Sequence, residues 1–216
     1  SNTPEKEIEK VRNSPSHFHE KAGPVTITDP FTTGRELMLA GRHRVEVLHL
    51  PGHTPWCVAF WFKDLEMLVC GDIILERSLA NPLLYPYKSS PREPQGLAVY
   101  NHSLQTIRDL PIQRIIPGHG LSFENYEEVI DRAFCKVQWY QEKIQEILRE
   151  ESKTAYDVAK MIFGTVLTHR ALFLTMSKVV YHIEWLESED KIVRINNSPL
   201  FEYYCPEKRE VDVDSL

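Results

Sequence analysis

The spacing of apolar residues changes near residue 121 of the chain. Before that point, short apolar runs alternate with Gly and Pro, a pattern typical of β-strands joined by turns. After it, apolar residues recur every three or four positions, as they do on the buried face of an α-helix. The pattern therefore predicts two parts, a mixed α/β part over residues 1–120 and a mainly helical part over residues 121–216.

The first part contains four runs that predict strands. Residues 36–40 and 45–50 flank Gly41-Arg42, which predicts a β-hairpin. Residues 57–62 and 67–70 are apolar at nearly every position, which predicts two strands covered on both faces. The other elements predicted here are a helix over 100–110 and a short strand over 114–116.

A long loop over residues 76–94 separates these strands from the helix. It holds four prolines, and loops of this kind often border a binding site. Tyr85, Tyr87 and Lys88 are therefore candidate substrate contacts. The alternative for these three residues is an ordinary exposed loop.

The second part predicts three helices and a closing hairpin. One long helix covers residues 124–150. Thr154 begins the next helix in the manner of a capping box. A third helix covers residues 170–186, with Val179, Ile183 and Leu186 on one face. Strands over 191–196 and 200–205 follow, so that the order of elements predicts a winged-helix-like appendage.

Composition and charge exclude several classes of protein. Hydrophobic residues make up 42% of the chain and charged residues 26%, as in ordinary globular proteins. No apolar run reaches about 18 residues, so a membrane span is not expected. The net charge of −6, and the excess of acidic residues over basic ones in 151–216, argue against a nucleic-acid partner. The cysteines include no C-x-x-C pair, which predicts mostly buried thiols in a reducing cytoplasm: Cys57, Cys70, Cys135 and Cys205.

Three short motifs place metal-binding side chains on turns that leave strands. They are Pro51-Gly52-His53-Thr54, Cys70-Gly71-Asp72 and Pro117-Gly118-His119-Gly120. Imidazole and carboxylate are good ligands for zinc and acceptable ones for manganese or iron. An aspartate between two histidines has an oxygen for each of two ions, and such a pair activates a water molecule. His53, Asp72 and His119 are therefore candidate metal ligands.

The order of these motifs resembles the second half of the metallo-β-lactamase superfamily pattern. In this chain Asp72 follows His53 by 19 positions, and His119 follows Asp72 by 47. Tyr100 and Ser103-Leu104 also resemble the Y-x-x-S-L stretch of that family. The resemblance covers residues 34–120, and the helical tail resembles the winged-helix extension of some members.

The resemblance implies a fold, a metal centre and an activity. The fold is an αββα sandwich in which each half supplies one sheet. His53 would complete the histidine set of a first zinc ion, Asp72 would bridge, and His119 would bind a second zinc ion. A metal-bound hydroxide would then hydrolyse a small-molecule substrate that is an ester, thioester, lactone or phosphodiester. The alternative is a non-catalytic interaction or scaffold protein in which this half-site is a relic. Tight metal binding by these three residues would distinguish the enzyme from that alternative.

One part of the family pattern is absent from the sequence. The family takes its other ligands from an H-x-H-x-D-H motif upstream of PGHT. His17-Phe18-His19-Glu20 begins in the same way, but Lys21 and Ala22 stand where Asp and His belong. We interpret this stretch as surface polar residues, and expect the chain to be a truncated form that is incomplete for activity.

Self-association is the expected physical consequence of carrying one sheet of a two-sheet sandwich. The apolar run over residues 57–62 would then offer an uncovered face. We predict a homodimer or a swapped dimer in light scattering, and a monodisperse monomer would contradict this.

The remaining candidates have simpler interpretations. Trp56 follows PGHT where the family often has glycine, and we expect it to pack under the loop, with a role in the pocket wall as the alternative. The other histidines are interpreted as surface or packing residues: His43, His49, His102, His169 and His182.

Overall fold

The computed structural model describes residues 26, 28–30, 32–78, 80, 96–164, 169–197 and 200–206. Contacts divide the chain into two compact units, one ending at Val137 and the other beginning at Gln138. No helix in the described ranges is long and apolar enough to cross a membrane.

The first unit contains a five-stranded sheet in the order β1-β2-β3-β4-β5. Neighbouring strands are antiparallel from β1 to β4, and β5 lies parallel to β4. The hairpin predicted around Gly41 is confirmed, since β1 pairs with β2 from Glu36–Glu46 to Leu39–His43. The strands are β1 (Glu36–Leu39), β2 (His43–His49), β3 (Val58–Phe62), β4 (Met67–Gly71) and β5 (Arg114–Pro117).

Fully buried side chains lie on both faces of this sheet. Leu68 and Cys70 of β4 are buried on one face. Val45 and Val47 of β2 are buried on the other face, which they share with Met67 and Val69 of β4 through the pairing with β3. The expectation that β3 and β4 are covered on both faces is confirmed only in part, because Met67 and Val69 are half-buried and Val58 is exposed. The predicted self-association stays a prediction.

A helix lies in the crossover connection between the parallel strands β4 and β5. Helix α1 (Leu97–Arg108) precedes β5, as a parallel connection requires. Its buried side chains recur at helical spacing, so that one face of α1 is packed. They are Leu97, Tyr100, Ser103, Leu104 and Ile107. The long helix predicted over 124–150 is confirmed as α2 (Tyr126–Glu150).

The second unit holds the end of α2, two helices and a small antiparallel sheet. Thr154 caps α3 as predicted, because the Asp157 N–H donates to its hydroxyl oxygen over 3.2 Å. The sheet has the order β6-β8-β7, and the two-residue strand β6 was not predicted. The elements are β6 (Lys153–Thr154), α3 (Ala155–Phe163), α4 (His169–Ser188), β7 (Val193–Asn197) and β8 (Leu200–Tyr204). Whether this unit is a winged helix stays a prediction.

The second unit has a hydrophobic core of its own. The apolar stripe predicted for α4 lies in it, since Val179, Ile183 and Leu186 are all buried. Cys205 is buried too, and its N–H donates to the carbonyl of Leu148 over 3.1 Å. The other members of this core are Ile144, Ile147, Leu148, Ala155, Val158, Ala159, Ile192 and Tyr203.

Candidate metal centre

The three motifs leave the sheet at the same edge. Strand β3 runs antiparallel to both β2 and β4, and β5 runs parallel to β4. Strands β2, β4 and β5 therefore point the same way, and their carboxyl ends meet at one edge. His53, Asp72 and His119 follow these three ends. Strand direction thus places the side chains that the sequence singles out at one end of the sheet.

The Asp72 carboxylate lies between the two histidines. Its Oδ1 is 2.7 Å from His119 Nδ1, a hydrogen-bond distance. Its Oδ2 is 3.9 Å from His53 Nε2, too far for a hydrogen bond. The side chains of His53 and Asp72 are mostly buried, whereas that of His119 is 79% exposed. Each carboxylate oxygen of Asp72 therefore faces one imidazole.

The backbone of the PGHG turn contacts that of the GD turn. The Gly118 N–H donates to the Gly71 carbonyl over 2.7 Å. A Cβ added to Gly118 would lie 2.5 Å from Asp72 Oδ1 and 3.1 Å from the carbonyl carbon of Gly71. Only glycine leaves room for the carboxylate at this position. The two motifs thus meet through backbone as well as side chains.

The loop that carries His53 is closed by its own hydrogen bonds. The Leu50 N–H donates to the carbonyl of Cys57 over 3.0 Å and closes the base of the loop. Near its tip, the Thr54 N–H and hydroxyl both contact the Cys57 sulfur, at 3.3 and 3.1 Å. His49 Nε2 lies 2.8 Å from the Pro55 carbonyl oxygen. His49, interpreted from sequence as a surface or packing residue, therefore supports this loop.

Helix α1 contacts the same loop near its start. The Ser103 hydroxyl donates to the Pro51 carbonyl over 2.6 Å. Gly52 lies against Tyr100, and a Cβ on Gly52 would be 2.9 Å from the Tyr100 Cα. Sequence reasoning did not predict these contacts. The signal for them was the Y-x-x-S-L stretch, whose tyrosine and serine are the two contacting residues.

Cys70 precedes Gly71-Asp72, but its side chain is fully buried. Burial raises the pKa of its thiol to about 12. Its Sγ lies within 4 Å of the carbonyl oxygens of Ile74 and Ile116. All four cysteines are free thiols, but the expectation that they are mostly buried holds only for Cys70 and Cys205, because Cys57 is half-buried and Cys135 is exposed.

The donor set fits a metal ion in chemical type. Two imidazoles and a carboxylate are the ligands that zinc takes, each at about 2.0–2.2 Å. Two ligands of one tetrahedral ion then lie about 3.3–3.6 Å apart, so the 3.9 Å between His53 Nε2 and Asp72 Oδ2 would have to shorten slightly. Among the described residues, however, no group of three or more His, Cys, Asp or Glu is arranged to hold an ion. A complete centre therefore needs ligands beyond these three residues.

Two large apolar side chains lie exposed on the turns of this edge. Leu121, two residues after His119, is 81% exposed. Trp56, three residues after His53, is 62% exposed, so the expectation that it packs under the loop is wrong. The turn is closed by the contacts between Thr54 and Cys57, which do not involve the Trp56 side chain.

Several other residues that the sequence analysis discussed lie away from this candidate metal centre or outside the described residues. His43 pairs with Asp64 over 2.7 Å, and His102 is exposed on α1. His182 is buried in the second unit. The stretch around His17 and His19, the loop residues Tyr85, Tyr87 and Lys88, and the side chain of His169 lie outside the described residues.

Comparison with known proteins defines the class. Residues 3–119 match the family model of the metallo-beta-lactamase superfamily. Two solved structures share the fold with a TM-score of 0.75. One is a metallo-beta-lactamase family protein from Thermus thermophilus, at 23% identity, covering 92% of this chain and 62% of that one. The other is a beta-lactamase domain protein from Burkholderia ambifaria, at 19% identity, covering 86% and 54%. The chain belongs to the metallo-beta-lactamase superfamily, and the predicted α/β fold of that family is confirmed.

Curated relatives support the same class. The chain is 30% identical over 146 residues to the probable metallo-hydrolase YqjP of Bacillus subtilis (strain 168), covering 68% of this chain and 46% of that protein. It is 29% identical over 186 residues to a beta-lactamase-like protein 2 homolog of Drosophila melanogaster, covering 81% and 56%. The chain thus spans about half the length of the curated relatives it matches. Its relatives are hydrolase-like proteins of a metal-binding superfamily.

Proposed function

We propose that the chain carries part of the metal centre of a zinc-dependent hydrolase. His53, Asp72 and His119 are the ligands that it contributes, and further ligands come from outside these three residues. The substrate is a small molecule with an ester, thioester, lactone or phosphodiester bond, and manganese or iron are acceptable substitutes for zinc. The protein works in the cytoplasm without a nucleic-acid partner. A bound zinc ion supplies a nucleophile at neutral pH by lowering the pKa of water.

The arrangement around Asp72 carries this proposal. Histidines that bind metal ions commonly donate their other ring N–H to a carboxylate, and Asp72 has one imidazole facing each of its oxygens. An ionised carboxylate only accepts hydrogen bonds, so Nδ1 of His119 donates to Oδ1. The other ring nitrogen, Nε2, then keeps its lone pair for a metal ion. Asp72 would thus orient His119 through Oδ1 and bind through Oδ2 together with His53.

Asp72→Ala tests the proposal through metal content. We expect the purified chain to bind zinc, manganese or iron near stoichiometrically, and Asp72→Ala to reduce the bound metal to background. The reason is that the variant removes one ligand and releases the hydrogen bond that orients His119. Plasma mass spectrometry of the wild-type and variant proteins, after dialysis against buffer of defined metal content, provides the measurement.

Asp64→Ala is the matched control. Asp64 also accepts a 2.7 Å hydrogen bond from a histidine, His43, but it lies at the opposite edge of the same sheet. Metal content should be unchanged in this variant. Equal loss in both variants would contradict the proposed site, as would metal retained by Asp72→Ala. A wild-type chain without bound metal would instead favour the interaction or scaffold protein, in which this half-site is a relic.

A further inference from the structure

Two side chains on one face of α1 lie fully buried against the loop that carries His53. Tyr100 and Ser103 are three positions apart in the helix, so they project from the same side. Each is only 1% exposed. Their partners are the two residues of the PGHT motif that immediately precede His53.

Ser103 makes an unusual hydrogen bond for a helical serine. Hydroxyls within helices commonly donate to a carbonyl of the preceding turn. In this chain Thr106 does so to His102 over 3.0 Å, and Thr175 to Ala171 over 2.7 Å. Ser103 donates instead to Pro51, 52 positions away, over 2.6 Å. The hydroxyl therefore serves a tertiary contact with the loop.

Tyr100 restricts the same peptide by steric contact. A Cβ on Gly52 would lie 2.8 Å from Tyr100 Cδ2 and 2.9 Å from its Cα. Distances below about 3 Å leave no room for a side chain, so the Gly52 backbone lies directly on the helix. The Pro51-Gly52 segment is thus held by a hydrogen bond at one residue and by close packing at the next.

We propose that α1 positions His53, with Ser103 as the positioning residue. The hydrogen bond to Pro51 sets the orientation of the chain two residues before His53, and so directs the imidazole toward Asp72. Ser103 has no direct contact with Asp72 or with a reacting group. The proposal rests on the proposed function only in taking His53 as a metal ligand, and the orientation of its ring can be measured without metal.

Ser103→Ala tests the proposal, with Tyr100→Phe as the matched control. The first variant removes the hydroxyl that binds Pro51. The second removes a buried hydroxyl one turn away, which is hydrogen-bonded to the backbone of Ala80, and keeps the ring against Gly52. Both variants lose one buried hydrogen bond of the same helix, and both should melt at a lower temperature than the wild type. Only Ser103→Ala should change His53.

The readouts are histidine ring NMR spectra and zinc affinity of the 216-residue chain. In metal-free Ser103→Ala we expect the His53 ring signals to shift or broaden, while those of His119 stay in place. The zinc dissociation constant should rise about tenfold, as it does when groups that orient a ligand are removed. Tyr100→Phe should show neither effect.

The outcomes separate this inference from the proposed function. If Ser103→Ala lowers the melting temperature but leaves the His53 ring signals unchanged, Ser103 is merely structural and the inference is overturned. The same conclusion follows if Tyr100→Phe changes the His53 signals equally. If the wild-type chain binds no zinc, the proposed function fails, and the metal-free ring spectra alone decide whether Ser103 positions His53.

Discussion

Gly118→Ala is expected to weaken zinc binding by at least about tenfold and to lower the free energy of unfolding by about 1–3 kcal/mol. The added methyl would lie 2.5 Å from Asp72 Oδ1 and 3.1 Å from the Gly71 carbonyl carbon. Neither contact is tolerable without movement. The carboxylate can rotate away, whereas the backbone of Gly71 is held by the 2.7 Å hydrogen bond to Gly118 itself.

The effect of Gly118→Ala on zinc binding depends on which neighbouring group moves to make room for the methyl. If the Asp72 carboxylate rotates, Oδ1 leaves His119 Nδ1 and Oδ2 leaves its place opposite His53. A single methyl group would therefore disturb both histidines through the aspartate between them. Gly118→Ala keeps all three candidate ligands and changes only the position of the Asp72 carboxylate. Asp72→Ala, by contrast, removes the carboxylate altogether.

Gly41→Ala is the control for this prediction. Gly41 has a φ of 68°, which disfavours alanine, but a Cβ there would meet nothing within 4 Å. We expect a loss of about 1 kcal/mol from backbone strain and no change in zinc affinity. Urea denaturation and competition titration with a zinc chelator measure the two quantities. Wild-type zinc affinity in Gly118→Ala would show that the Asp72 carboxylate does not depend on this glycine.

The placement of the three candidate ligands was predictable because it depends on local sequence and strand direction. Each motif is a few residues long, follows an apolar run and contains the glycine that its turn needs. Once β2, β4 and β5 run the same way, the turns must share an edge. The only long-range information this step needs is the direction of these strands, which their pairing sets.

The contacts that hold the ligands were not predictable in the same way. Ser103 and Pro51 are 52 positions apart, and a helical serine ordinarily bonds within its own helix. The division of the Asp72 oxygens between two histidines likewise depends on side-chain rotation, which no sequence pattern records. How deeply each residue of β3 and β4 is buried depends on tertiary cover, so the apolar runs predicted two covered faces but not the partial exposure of Val58, Met67 and Val69.

The buried position of His182 confirms one of its two interpretations, a packing histidine rather than a surface one. The stripe at Val179, Ile183 and Leu186 was evident, and position 182 follows Val179 by three residues, so it lies on the same helix face. Its polar side chain favoured the interpretation as a surface or packing histidine. In the structure it is 2% exposed, and its Nδ1 has no hydrogen-bond partner.

Acidification is expected to destabilise the second unit through His182. Burial, and then the charge of Lys178, lower the pKa of this imidazole from its ordinary 6.5 to about 3. Its neighbours are Lys178 on the same helix and the Tyr140 ring of α2, whose centroid is 5.2 Å away. Neither neighbour offers a negative charge at neutral pH, so a proton on His182 would be buried without compensation.

The direction of the pH effect follows from proton binding. Between about pH 6.5 and pH 3 the unfolded chain holds a proton on His182 that the folded chain does not. The contribution to stability is therefore complete above pH 6.5 and is lost as the pH falls through this range. At about pH 5 the loss from this single group amounts to about 2 kcal/mol relative to about pH 8.

His182→Leu should remove this dependence. Leucine is close to histidine in size and needs no hydrogen-bond partner, so it also relieves the unsatisfied Nδ1. We expect the variant to equal or exceed the wild type in unfolding free energy at about pH 8, and to exceed it by at least about 2 kcal/mol at about pH 5. His102→Leu, at an exposed position on α1, should leave the pH dependence as it is. Urea denaturation followed by circular dichroism at both pH values gives the comparison, and parallel wild-type and His182→Leu profiles would mean that His182 accepts its proton in the folded state.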